Sequence, residues 1–173
     1  TAYPPQKFAC LGDHDHWSNP SRITSGLSDC GWTFLRNEHR VVKYKGSRIL
    51  ITGITYIYSQ RLAKASLTTI LEEKAPPSDL KILLVHQPSP MVIETAQEYG
   101  YDLVLAGHTH GGQVVFRPFG FSLTLSQFES IFYTGYHRYK DMPVVVTNGI
   151  GLTLAPLRYH APAEVCKITL VKK

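Results

Sequence analysis

Three apolar runs along this chain each stop at a turn bearing histidine or aspartate, and this pattern narrows the fold more than any other feature. Lys7 to Leu11 runs into Gly12-Asp13-His14-Asp15-His16. Lys81 to Val85 runs into His86, and Leu103 to Ala106 runs into Gly107-His108-Thr109-His110-Gly111-Gly112-Gln113. Short, nearly continuous apolar runs predict strands buried on both faces, which is the signature of a sheet covered by helices. Polar residues at strand ends, with helical segments between them, predict an α/β protein whose chemistry sits on loops at one edge of the sheet.

The intervening segments agree with that scheme. Asn19-Pro20 reads as a helix start, with Asn19 at the cap, Ile23, Leu27 and Cys30 on one face, and Gly31 at the end. Val41 to Tyr44 and Arg48 to Thr55 read as strands around a turn at Gly46. Leu62 to Glu73 reads as a helix with Ala63, Leu67, Ile70 and Leu71 on one side, closed by Pro76-Pro77. Pro90 to Tyr99 reads as another, with Val92, Ile93, Ala96 and Tyr99 facing inward and Gly100 beyond it. Further strands are expected at Pro143 to Thr147 and Glu164 to Leu170, and a turn at Tyr3-Pro4-Pro5 opens the chain. With 43% hydrophobic and 18% charged residues over 173 positions, one globular domain is expected rather than a disordered chain. There is no repeat, linker or low-complexity tract.

If the three strand ends lie side by side, imidazoles and carboxylates converge on one place. That ligand mixture suits zinc, manganese or iron rather than calcium. The glycines allow the tight, left-handed backbone such a site needs. In His108-Thr109-His110 both rings share a side only in a loop or extended conformation, since positions i and i+2 diverge on a helix. Taken singly, His86 is an ordinary hydrogen-bonded histidine and His108/His110 a polar turn; together, at three strand ends, they indicate a metal site. His39, His137 and His160 lack such settings and are expected at the surface or rim. His16 is either a substrate-side rim residue or a solvated neighbour. Cys10, Cys30 and Cys166 show no CxxC spacing and are expected as free thiols, which argues against a cysteine-rich structural zinc. The net charge of +5 suits an anionic substrate. No basic stripe supports nucleic-acid binding, and no stretch is long and apolar enough to span a bilayer.

The motifs resemble those of calcineurin-like metallophosphoesterases. That superfamily carries, in order, Asp-x-His, Gly-Asp, Gly-Asn-His-Asp/Glu, a lone His after a strand, and Gly-His-x-His. Gly12-Asp13-His14-Asp15 is similar to the third, His86 to the fourth and Gly107-His108-Thr109-His110 to the fifth. The extended GHTHGGQ form is similar to the branch containing YkuE-type phosphodiesterases and a UDP-2,3-diacylglucosamine pyrophosphatase. The ending, Val144 to Gly151 followed by Pro156-Leu157-Arg158, agrees as well.

The resemblance implies a four-layer αββα sandwich of two packed mixed sheets with flanking helices. It implies hydrolysis of a phosphodiester, phosphomonoester or pyrophosphate, with two divalent ions (Mn, Zn or Fe). Asp13, His86 and His108 would hold one ion and His110 the second. His14, oriented by Asp15, would act as the catalytic histidine, and Arg158 and His16 would contact substrate. The implied mechanism is in-line attack by a hydroxide held between two metals about 3.5–4 Å apart. The substrate would be a small phosphorylated molecule, lipid-linked or nucleotide-linked, and no nucleic acid is expected.

Two departures shape these expectations. No Asp-x-His or Gly-Asp motif precedes Gly12, so 1–173 is expected to be a single domain lacking its N-terminal portion and inactive alone. Any membrane association would lie in that portion, leaving a cytoplasmic or membrane-associated location open. Asp13 stands where the family usually has Asn, which predicts tighter metal binding with weaker Lewis acidity. A non-catalytic phosphate-ligand-binding module with an incomplete metal site is the competing expectation. The aromatic stretch from Phe116 to Tyr139 reads either as core and loop packing, the preferred reading, or as a wall for a lipid tail. Arg117 and Arg138 are lesser candidates for anion contacts.

Overall fold

The computed structural model describes residues 6–72 and 76–171. Tyr3-Pro4-Pro5 and Glu73 lie outside the described residues. Eight strands and four α-helices follow in chain order: β1 Lys7–Ala9, α1 Asp13–Trp17, α2 Pro20–Asp29, β2 Trp32–Phe34, β3 Glu38–Tyr44, β4 Ser47–Ile54, α3 Lys64–Glu72, β5 Leu80–Val85, α4 Pro90–Glu98, β6 Leu103–Ala106, β7 Gly135–Tyr139 and β8 Met142–Val146. Among the described residues no helix is long and apolar enough to cross a membrane.

Six strands form one mixed sheet in the order β3-β4-β5-β6-β8-β7. β4, β5, β6 and β8 run parallel, as the apolar runs predict, and β3 and β7 pair antiparallel at the two edges. The β3–β4 turn places Lys45 and Gly46 at φ 48° and 83°, the left-handed pair of a tight hairpin. α3 and α4 cover one face of the sheet. Leu67, Leu71, Val92, Ile93 and Ala96 meet Leu83, Val85, Val104, Val144 and Val146 in a continuous buried core. Such fully buried aliphatic side chains each contribute about 1.5–3 kcal/mol of transfer free energy. α2 starts as read from the sequence: the Asn19 side chain accepts from the Arg22 N–H at 2.9 Å, with Pro20 at the first position.

Several features differ from expectation. Among the described residues the second sheet has two strands, β1 and β2, paired in parallel. Leu35, just after β2, approaches the main sheet closely: a Cβ on Gly53 of β4 would fall 2.2 Å from the Cβ of Leu35. Glu164 to Leu170 is not a strand. β8 is flanked by β6 and β7, so it offers no free edge; the segment is tied at its start by the Glu164 N–H to the Gly149 carbonyl (3.0 Å). With Leu105 and Val145 of the sheet it borders a cavity of about 330 Å³, and its Val165, Ile168 and Leu170 are exposed. β2 and β7 were not foreseen, and α2 buries none of its residues, Leu27 and Cys30 included. His39 is an internal tie: Nδ1 meets the Thr52 hydroxyl at 2.7 Å and Nε2 the Ile70 carbonyl at 2.9 Å. In the aromatic stretch Phe132 is buried in the core and Tyr139 packs against it, whereas Phe119 is 98% and Phe128 90% exposed. Core packing accounts for Phe132 and Tyr139 but not for Phe119, Phe121 and Phe128.

Candidate metal centre

The C-terminal ends of β5 and β6 and the start of α1 bring three of the predicted ligands together. Asp13 Oδ2, His86 Nε2 and His108 Nδ1 lie within 4.8 Å of one another. Gly12 caps α1, whose first residue, Asp13, is driven inward and is 1% exposed. The turn expected after the first strand is thus a short helix, Asp13–Trp17. Here α1 fixes Asp13 toward the sheet and His14 toward the opening. The Gly107–Gln113 segment bends through left-handed backbone at His108 (φ 71°), His110 (51°), Gly111 (65°), Gly112 (86°) and Gln113 (53°). Three of these carry side chains, and such conformations persist where surrounding contacts compensate their strain. Thr109, buried between the two histidines, donates to the Tyr133 carbonyl, and the Gln113 side chain makes three hydrogen bonds to Thr153 and Ala155.

Asp13 Oδ1 accepts the Tyr58 N–H at 2.7 Å. Asp13 Oδ2 is buried and has no hydrogen-bond donor, although His108 Nδ1 stands 3.0 Å and His86 Nε2 3.3 Å away. The two imidazole nitrogens are 3.2 Å apart. Three electron-rich atoms facing one another around an unsatisfied buried carboxylate oxygen are the donor set of a cation site. Ligands about 2.1 Å from a zinc-like ion stand roughly 3.0–3.4 Å apart, which these separations match. Burial, and then the neighbouring His108, lower His86 to about 4, which keeps its ring neutral and ligating. The Asp13 and His residues therefore fit a divalent ion.

The fit is sensitive to one backbone position. Gly12 has φ −108°, open to any residue, but a Cβ there would sit 2.5–2.9 Å from three atoms of the His86 ring. Gly12→Ala is expected to push that ring off its ligating position. Zinc affinity measured against a chelator should fall at least roughly tenfold, the scale of losing support for a metal ligand, with the fold intact by circular dichroism.

His110 lines the same cavity, of about 340 Å³, but stands outside the three-ligand group; its Nδ1 is 3.2 Å from the Gly151 carbonyl. Burial and then the Arg158 guanidinium lower its pKa. His14 also lines the cavity, with Nε2 3.0 Å from the Thr153 hydroxyl and its ring against Trp17. The expected Asp15–His14 orientation is not what the structure has. The Asp15 carboxylate accepts the Gly12 N–H at 2.8 Å as a helix cap, and Thr153 is the partner of His14. His16 turns towards Gln60 and away from the cavity. Arg158 also lies off the cavity wall, with its amino groups donating to the carbonyls of His110, Asn148, Gly149, Gly151 and Ala161. The rest of the wall is largely apolar, formed by Trp17 beside His14 and by Val114, Leu125, Leu154 and Ala155. Tyr58, Thr153 and Glu129, which also line the cavity, carried no motif signal. Gln113 did, as the last residue of GHTHGGQ.

A family description for calcineurin-like phosphoesterases matches residues 2–112, the part of the chain that holds all three grouped ligands. The chain is 28% identical to an uncharacterized metallophosphoesterase, YkuE, of Bacillus subtilis, over 96% of this chain and 57% of that protein. It is 25% identical to the phosphodiesterase YaeI of Escherichia coli, over 95% of this chain and 58% of that protein. The chain thus spans a little over half the length of these relatives. Its fold is similar to that of a proposed 5′-nucleotidase from Staphylococcus aureus, with TM-score 0.52 and 13% identity, covering 83% of this chain and 33% of that one.

Proposed function

The chain belongs to the calcineurin-like phosphoesterase family, and we propose that the protein it belongs to hydrolyses a phosphate ester or anhydride at the Asp13–His86–His108 centre. The observation that carries this reading is the buried, donorless Oδ2 of Asp13 facing two imidazole nitrogens. A divalent ion held there supplies Lewis acidity, lowering the pKa of water and offsetting charge on phosphoryl oxygens. The chain's own residues supply the rest. His86 and His108 offer neutral nitrogens, and Asp13 offers the charge.

His14, on the open side of the cavity, is placed to stabilise the phosphoryl group or protonate the leaving oxygen. Thr153 holds its Nε2, and Gln113 holds Thr153. His110, which lines the same cavity outside the three-ligand group, is the residue we assign to a second ion. The αββα sandwich is likewise proposed for the whole protein. The apolar wall at Trp17, Val114, Leu125 and Leu154 supports a substrate carrying an apolar group beside its phosphate, so a lipid-linked substrate is favoured over a nucleotide-linked one. The Asp13 carboxylate, in place of the neutral amide usual in the family, is proposed to tighten binding while leaving the ion less acidic.

A second reading, a phosphate-ligand-binding module without turnover, is favoured by the standing of His110 apart from the three-ligand group. The full-length protein, loaded with manganese or zinc and assayed on an artificial phosphodiester, separates the two. Turnover with His14→Ala about 100-fold slower or more, at unchanged metal content, is the expected result. No turnover with one tightly held ion would leave the binding module standing. If His14→Ala empties the metal, the role given to His14 is wrong.

A further inference from the structure

We propose that Glu129, held by Tyr58, is a positioning residue that selects the metal-binding tautomer of His108; this rests on the metal centre described above. His108 presents Nδ1 to Asp13 and His86, so its other nitrogen decides whether Nδ1 is free to ligate. That other nitrogen, Nε2, is 3.2 Å from Glu129 Oε2. A carboxylate oxygen accepts, so this hydrogen bond places the hydrogen on Nε2; Asp13 Oδ2, though 3.0 Å from Nδ1, makes no hydrogen bond there, and Nδ1 keeps its lone pair. The opposite tautomer would point a hydrogen at Asp13 and His86 and close the site to a cation. The Gln87 amide nitrogen also stands 3.1 Å from Nε2. Two donors do not pair, so with Nε2 protonated the amide turns its oxygen there instead. Gln87 by itself serves either tautomer, whereas Glu129 serves one.

Glu129 is not a free surface carboxylate. The Tyr58 hydroxyl donates to its Oε1, and the Tyr58 N–H donates to Asp13 Oδ1. One residue thus braces a ligand from behind and the partner of another ligand. The Glu129 loop is itself fastened on both sides: Ser126 donates to the Thr109 carbonyl at 3.3 Å and Ser130 to the Pro88 carbonyl at 2.6 Å. The first tie joins Glu129 to the segment that carries His108, the second to the residues just after His86. A carboxylate behind a metal-bound histidine raises its basicity and fixes its ring.

The test is a titration of zinc, against a competing chelator, into the full-length protein and its Glu129→Leu, Glu129→Gln and Tyr58→Phe variants. It is paired with the nitrogen NMR tautomer of His108 in the metal-free proteins. Glu129→Leu should weaken zinc binding by about 10–100-fold and lose the excess of the Nε2–H form. Glu129→Gln, which keeps an oxygen acceptor, should recover part of both. Tyr58→Phe should give a smaller loss of affinity in the same direction. Zinc binding by Glu129→Leu within twofold of the parent, with the His108 tautomer unchanged, overturns the proposal. A parent protein that takes up no zinc sinks the metal centre instead, and the tautomer measured without metal still decides the role of Glu129.

Discussion

His108→Ala is expected to strip the divalent ion from the protein and to remove turnover with it, and His86→Ala to do the same. Each change deletes one of three ligand atoms that lie within 4.8 Å of one another. The loss should exceed the roughly 10–100-fold that follows removal of a hydrogen-bond partner behind a metal ligand, because the ligand itself is gone. It also leaves the Asp13 carboxylate buried at 1% exposure with less to offset its charge. Asp13→Asn is the informative contrast. It leaves a single neutral oxygen for two tasks that Asp13 divides between Oδ1, which accepts the Tyr58 N–H, and Oδ2, which faces the two imidazoles. Affinity should fall, but by less than in His108→Ala, and turnover per bound ion should hold or rise. Metal content by mass spectrometry, read beside turnover of an artificial phosphodiester, checks all three variants. If His108→Ala keeps both its metal and its activity, the centre is elsewhere.

What the sequence made legible was set by local chemistry. The apolar runs at Lys81–Val85 and Leu103–Ala106 announce buried parallel strands because few other structures satisfy such runs with short polar ends. His86 and His108 follow from them, since adjacent parallel strands deliver their C-terminal ends to one edge; Asp13 arrives from the other sheet, at the start of α1 after β1. Glu164 to Leu170 reads as a strand by the same local rule and pairs with no described strand, because a local apolar run does not specify a long-range partner. β2 is the converse: its three residues pair in register with Lys7–Ala9, a long-range fact that no window displays. Asp15 illustrates a competition between partners. Two residues from Asp13 on a helical turn, its carboxylate reaches the Gly12 N–H more readily than the His14 ring, and helix capping wins. Thr153, which does meet His14, is separated from it by 139 positions.

Arg158→Ala is expected to cost stability before it costs anything else. The guanidinium joins three separate stretches of backbone, donating to the carbonyls of His110 at 2.9 Å, of Ala161 at 3.0 Å, and of Asn148 at 2.8 Å and Gly151 at 2.6 Å within one loop. Hydrogen bonds from a charged donor contribute about 1.5–3 kcal/mol each, and carbonyls left buried without a donor carry a further penalty. The terms are not additive, so we expect a loss of about 3 kcal/mol or more. That corresponds to a fall in Tm of roughly 6–12 °C for a domain of this size. Arg158→Lys should recover little, because an ammonium on a single stem does not span carbonyls on opposite sides of the planar fork.

The effect on chemistry should be indirect and should follow His110. Its carbonyl is held by Arg158, and its Nδ1 faces Gly151, which Arg158 also holds. A substrate-binding arginine would behave otherwise: Arg158→Ala would leave Tm unchanged and raise KM. Thermal unfolding and steady-state kinetics on the same two variants therefore decide between an arginine that grips phosphate and one that fastens the loop beneath His110. The geometry favours the second, since every amino nitrogen is already committed to backbone and only Nε lacks a partner.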